Sequence, residues 1–207
     1  YDNDGGDCDS RKINSNIKKI VISRYNQSNI KKLVIAKDKQ TKLVISSMFN
    51  SEEIFPIPLF DWINIQGSGI DETILDGNNV SGVFDFISTN YSSLSNLSII
   101  NGNRSHGGGI YIENSSPQLS DLKIDNSYSS QAGAGIYMYE SSPSLNNMEI
   151  SNNYAGEETS NDGDGYGGGI FCLYSEPIIT DVTISNNSAN YGGGIDISNS
   201  NPILENT

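Results

Sequence analysis

Cationic side chains all but vanish from this chain after residue 42. Of its twelve Lys and Arg, ten lie in residues 1–42, and residues 43–207 keep only Arg104 and Lys123 against 20 Asp and Glu. A body so acidic repels phosphate and anionic lipid, which argues against nucleic acid and anionic membranes as its partners. Long hydrophobic runs are missing as well. None approaches the ~18 residues of a membrane-spanning helix, and no signal peptide is recognisable. Tyr1 is not an initiator Met, so a processed product or a fragment is expected. Two cysteines cannot make a disulfide framework, and one histidine leaves little scope for imidazole chemistry. With 35% hydrophobic residues, a chain without repeats would read as disordered.

What is abundant is Gly, Ser and Asn, and the apolar residues among them recur at fixed spacing. The first unit runs Leu94-Ser-Asn-Leu97-Ser-Ile99-Ile-Asn101, then Gly107-Gly-Gly109-Ile110-Tyr-Ile112, then Ser116-Pro117. The same three pieces return around Leu119, Ile136 and Pro143, around Leu145, Ile170 and Pro177, and around Ile179, Ile195 and Pro202. Ile110, Ile136, Ile170 and Ile195 are separated by steps of 26, 34 and 25, and the prolines 117, 143, 177 and 202 by the same three steps. One unit is therefore about 25 residues. The third carries an insertion of eight or nine around Ala155–Asp164.

Alternating apolar residues within each unit predict two short, half-buried strands joined by a Gly-rich turn and a Pro corner. So thin a unit cannot bury its own apolar face, and must stack on its neighbours at about 4.8 Å. The fold class is all-β, a right-handed parallel β-helix (solenoid), the handedness following the usual sense of parallel crossovers. Stacking predicts inward files: Ile110, Ile136, Ile170 and Ile195; Ile112, Met138, Cys172 and Ile197; Leu122, Met148 and Val182 beside Ile124, Ile150 and Ile184. Asn101, Asn126, Asn152 and Asn186 are expected to form a ladder of amides at a turn. Phe84 and Phe86 lie one step before Ile110 and Ile112. Three parts follow: an acidic tail over 1–10, a basic segment of strands or cap over 11–54, and the solenoid over 55–207. The Lys residues beside Ile20-Val21-Ile22, Leu33-Val34-Ile35 and Leu43-Val44-Ile45 suit solvated edge strands.

Several residues stand out as candidates for function. Tyr111, Tyr137 and Phe171 alternate with the inward Ile residues, so an exposed aromatic column is expected, with Tyr139 and Leu173 beside it. Such a column can stabilise the sheet or hold a sugar ring or another protein. Asp2, Asp4, Asp7 and Asp9 with intervening Gly have the composition of a Ca²⁺ loop, although a plain acidic tail is the simpler reading. The insertion, with Glu157, Glu158, Asp162 and Asp164, offers a similar weak cation site or a plain protruding loop. No other cofactor is expected. Cys172 belongs to an inward file and is expected to be a buried thiol, which leaves Cys8 without a mate inside the chain. Asn-x-Ser sequons at 26, 79, 90, 96, 103, 114 and 186 follow from an Asn- and Ser-rich composition.

The stretch Phe55-Pro-Ile-Pro-Leu-Phe-Asp-Trp62 through Thr73-Ile-Leu-Asp76-Gly resembles the opening rungs of secreted bacterial parallel β-helix proteins of the pectin-lyase-like superfamily. The Gly-Gly-Gly-Ile and Ile-Ser-Asn-Asn units resemble repeats of the chlamydial polymorphic outer-membrane proteins, which are surface adhesins. The resemblance spans roughly 55–207 and implies an extracellular or cell-surface protein. It also raises polysaccharide chemistry. Arg104-Ser-His106-Gly-Gly is similar to the Gly-His-Gly of polygalacturonases, but the Arg-x-Lys of that family is missing, and no catalytic residue is assigned. The expectation is a non-catalytic structural or adhesive module. Copies of itself joined head to tail, another surface protein, or glycans are its expected partners. The alternative is a carbohydrate-active or carbohydrate-binding domain.

Overall fold

The structure is a computed structural model that describes residues 33–34, 41–44, 56–157 and 165–207. Among them there is no helix, and the chain winds into a parallel β-solenoid of about five turns with ~26 residues per turn. Every strand pairing is parallel. Sheet 1 stacks the long strands Ser93–Ile100, Gln118–Asp125, Ser144–Ser151 and Ile178–Ser185, ending on Ile203–Glu205. At its other end, Leu33–Val34 pairs with Asn64–Gln66 and Thr41–Val44 with Thr73–Asp76, so part of the basic segment adds edge strands to the stack. Sheet 3 stacks Ile57–Leu59, Phe84–Ile87, Ile110–Glu113, Ile136–Tyr139, Ile170–Leu173 and Ile195–Ser198.

The expected interior files are present. Ile110, Ile136, Ile170 and Ile195 are in register, as are Ile112, Met138, Cys172 and Ile197, with Phe84 and Phe86 one turn below. Ile124, Ile150 and Ile184 pair in sheet 1, and Met148 pairs with Val182. Apart from Ile197 in the last turn, these side chains form one continuous core, with Ile184 and Ile195 packed at its margin. Cys172 lies fully inside it, and burial pushes its thiol up to about 12. Cys8 and its pairing lie outside the described residues.

Two expectations need correction. From Asn103 to Ala189 each turn carries three strands rather than two: sheet 2 stacks Asn103–His106, Tyr128–Ala132, Tyr154–Ala155 and Ser188–Ala189. Its buried side chains are small or polar, such as Ser129 and Ala155, so no apolar alternation announces it. The amide ladder is also shorter than expected. Asn126 Nδ2 donates to Asn101 Oδ1 at 2.6 Å and Asn101 Nδ2 to Asp76 Oδ1 at 2.8 Å, but Asn152 Nδ2 turns to Asp125 Oδ1 at 2.7 Å. A carboxylate is the stronger acceptor.

The asparagines serve the corners first. Asn101, Asn126, Asn152 and Asn186 all have φ between 52° and 55°, a left-handed conformation that Asn tolerates better than other side chains. Three further corners repeat this device. Asn96, Asp121, Asn147, Asp181 and Asn206 bend sheet 1 at φ 50–56°. There the amides of Asn147 and Asn206 donate to the carboxylates of Asp121 and Asp181. Gly107, Gly133, Gly167 and Gly192 hold φ 58–64° before sheet 3, and Ser88, Asn114, Glu140, Tyr174 and Asn199 hold φ 47–53° after it.

Inside the last corner runs a serine file. The backbone N–H groups of Thr89, Ser115, Ser141 and Ser175 each donate to the hydroxyl of the next turn, at 2.8–3.1 Å. The hydroxyls of Ser115, Ser141, Ser175 and Ser200 donate to the carbonyl two residues back. Asn153 and Asn187 do the same at the corner after sheet 1: Ser127 N–H donates to Asn153 Oδ1 and Asn153 N–H to Asn187 Oδ1. These backbone N–H groups at the corners are thus satisfied along the axis, as burial requires.

Candidate functional site

The outward face of sheet 3 gathers most of the chain's distinctive chemistry. Register puts Asp85, Tyr111, Tyr137, Phe171 and Asp196 in one outward file, and Ile87, Glu113, Tyr139, Leu173 and Ser198 in the next. The rings of Tyr111 and Tyr137 stack at 5.2 Å and 4°, those of Tyr137 and Phe171 at 5.5 Å and 28°. The column exists, but the expectation that it is exposed is wrong. Tyr137 and Phe171 are each only 8% exposed and, with Ala132, form a second small apolar cluster outside the main core. The unexpected sheet 2 explains this. Its end and the turn that follows bring His106 edge-on to Tyr137 at 4.9 Å and Tyr166 to Phe171 at 5.9 Å. Tyr139 packs at the rim, its ring edge-on to Tyr174 at 6.1 Å.

At the foot of the column the aromatics give way to charge. The Arg104 guanidinium lies over the Tyr111 ring at 4.8 Å and pairs through Nη1 with Asp85 Oδ1. Tyr111 donates its hydroxyl to Glu113 Oε2 at 2.8 Å. Burial raises the Asp85 carboxyl above its usual range and Arg104 pulls it part of the way back. Burial likewise lowers His106, with Arg104 adding to the effect, and raises Tyr111 and Tyr137. Tyr139 is raised by its hydrogen bond to Glu140. Arg104 and His106 therefore do not sit in an isolated turn. They belong to a cluster with Asp85, Tyr111 and Glu113 that no local sequence window contains. Gly82 makes room for it, since a Cβ there would come within 2.4 Å of Arg104 Cδ. The other cation of the body, Lys123, points outward as expected and pairs with Glu149 at 3.3 Å.

Chemically, this arrangement is largely self-contained. The ring faces within the stack meet one another along the axis, so a sugar cannot lie flat between them. Arg104 is neutralised by Asp85 and half covered by Tyr111. Among the described residues, no group of three or more His, Cys, Asp or Glu is placed to hold a metal ion. Asp2, Asp4, Asp7 and Asp9 lie outside the described residues, as does most of the acidic insertion. No family model, no curated protein and no solved structure matches this chain. The likeness to the pectin-lyase-like superfamily and to surface adhesins thus rests on the form of the repeat alone.

Proposed function

We propose that this chain is a non-catalytic structural or adhesive module of an extracellular or cell-surface protein, working as a rigid scaffold. The observation that supports this reading most directly is how fully the groups on sheet 3 engage one another. Arg104 is bound to Asp85, Glu113 receives the Tyr111 hydroxyl, and the aromatic faces stack on each other. A catalytic group needs a free lone pair, proton or charge facing a substrate, and these groups spend theirs on the fold. Assays for unsaturated products and for new reducing ends on pectin, polygalacturonate and alginate are expected to show no turnover. Clear turnover on any of them overturns the reading.

A carbohydrate-active reading is favoured by one observation, the meeting of Arg104, His106, Asp85 and Glu113 on one face. If turnover is found, Arg104→Gln and His106→Asn should abolish it. Self-association is the further part of the proposal. In the last described turn the file members Ile197 and Leu204 are 46% and 47% exposed, whereas Cys172 and Ile179 directly below them are buried. Another turn of parallel backbone fits that face, and a second copy joined head to tail is one way to supply it.

A further inference from the structure

A second organised aromatic pair lies on the outside of the solenoid. Asn64 pairs with Ser93, so Trp62 and Tyr91 occupy equivalent places in successive turns, at the corner leading from sheet 3 into sheet 1. Their rings stack at 4.3 Å and 15°, yet Trp62 is 60% and Tyr91 68% exposed. Both also hold left-handed backbone conformations, φ 66° and 59°. Bulky side chains fit that region poorly. The next two turns place serines there instead, Ser116 and Ser142. Two large rings are therefore held in a strained conformation, outside the core, at a place where the next two turns use neither a ring nor that conformation. Strain kept without a packing return points to a role in recognition.

We infer that Trp62 and Tyr91 form a docking platform for a neutral carbohydrate chain. The electron-rich face of an aromatic ring attracts the slightly positive C–H face of a sugar ring. Neutral exposed polar groups flank the corner: Asn90 precedes Tyr91, and the next turn brings Ser116 and Gln118. Amides and hydroxyls of this kind both donate to and accept from sugar hydroxyls. Asp61, the acid beside Trp62, is occupied by the backbone N–H of Asn90 at 2.6 Å. With a net charge of −13, the chain repels an acidic polysaccharide, which leaves neutral glycans as the class that fits.

The inference rests on the reading of the chain as a binding scaffold, and the two can fail separately. Trp62 is the chain's one tryptophan, so its emission reports on this corner alone. Titration with hydroxyethylcellulose, glucomannan, mannan and xylan is expected to give a saturable emission shift with at least one of them. Tyr91→Ser, which copies the next turn, should remove the shift. Trp62→Asn should abolish retardation of the protein in gels containing that polysaccharide while leaving its thermal midpoint unchanged or higher, because Asn accepts the backbone conformation. No shift with any neutral polysaccharide overturns the inference and leaves the scaffold reading standing. A shift with polygalacturonate alone, or one that follows protein concentration without sugar, also overturns it, the latter in favour of a second copy. So does a lowered midpoint in Trp62→Asn, which would assign the rings to the fold. Turnover of the bound polysaccharide would instead overturn the scaffold reading while leaving the platform intact.

Discussion

Asn126 does two things at once. It turns the backbone at φ 52° and passes an amide hydrogen bond to Asn101 in the turn below. A side chain with a plain Cβ in this region costs about 1–2 kcal/mol, and a hydrogen bond contributes about 0.5–1.5 kcal/mol. Asn126→Ala is therefore expected to destabilise by about 2 kcal/mol, and Asn126→Gly by less than half of that. Urea or thermal midpoints of the two variants check the order. The repeat of Asn at this place is plain in the sequence, and it suggested a ladder. What it could not tell is that the conformation recurs in four successive turns whereas the amide contact does not. Asn152 meets the Asp125 carboxylate first, and choosing between two acceptors depends on side chains a full turn away.

At the scale of strands, the same limit decides what can be read. Sheets 1 and 3 announce themselves because their inward residues are Leu, Ile, Phe and Met at alternating positions. Sheet 2 hides because its buried residues are Ser and Ala, which look like loop residues when no partner turn is in view. Missing that sheet made Tyr137 and Phe171 look exposed and left Arg104 and His106 looking isolated, although the outward direction of the column was legible. The charged foot of the column also gives the molecule a pH response. His106 is the chain's one histidine, and burial holds its native value below the 6.5 of a free imidazole. The unfolded chain then takes up a proton before the folded one does. The contribution of His106 is complete above pH 6.5 and is lost as pH falls through the window below it. Asp85, raised from 3.8, acts with the opposite sign, its contribution being complete below 3.8 and lost as pH rises. As pH falls from 7.5 to 4.5, the thermal midpoint of the native chain should lose ground relative to that of His106→Asn.

The whole molecule is close to one-dimensional, because each turn touches only the turns above and below it. Removing residues 118–143 joins Pro117 to Ser144 and brings Ser93 opposite Ser144, a pairing both strands already make with Gln118. The shortened chain is expected to keep its β-sheet circular dichroism and to unfold cooperatively with a smaller urea slope, in proportion to the surface lost. Loss of the β signal would show that the turns are not interchangeable. The period, the core files and the parallel stacking were all available from spacing alone, since they depend on residues that repeat. The Trp62–Tyr91 corner was not, because it occurs where the repeat is least regular.

The third turn shows what such a stack permits. Gly156 and Gly165 close the stem of the long insertion: a Cβ on Gly165 would meet the Ala155 carbonyl oxygen at 2.1 Å and the Gly156 Cα at 2.8 Å. The longer step between Ala155 and Tyr166 leaves the registration of both neighbours intact, Tyr154 pairing with Tyr128 and Ser188, and Ile170 with Ile136 and Ile195. That narrow gate is a socket. Foreign peptide inserted there would ride on the rod at a fixed address, its size limited by its own behaviour and not by the carrier's.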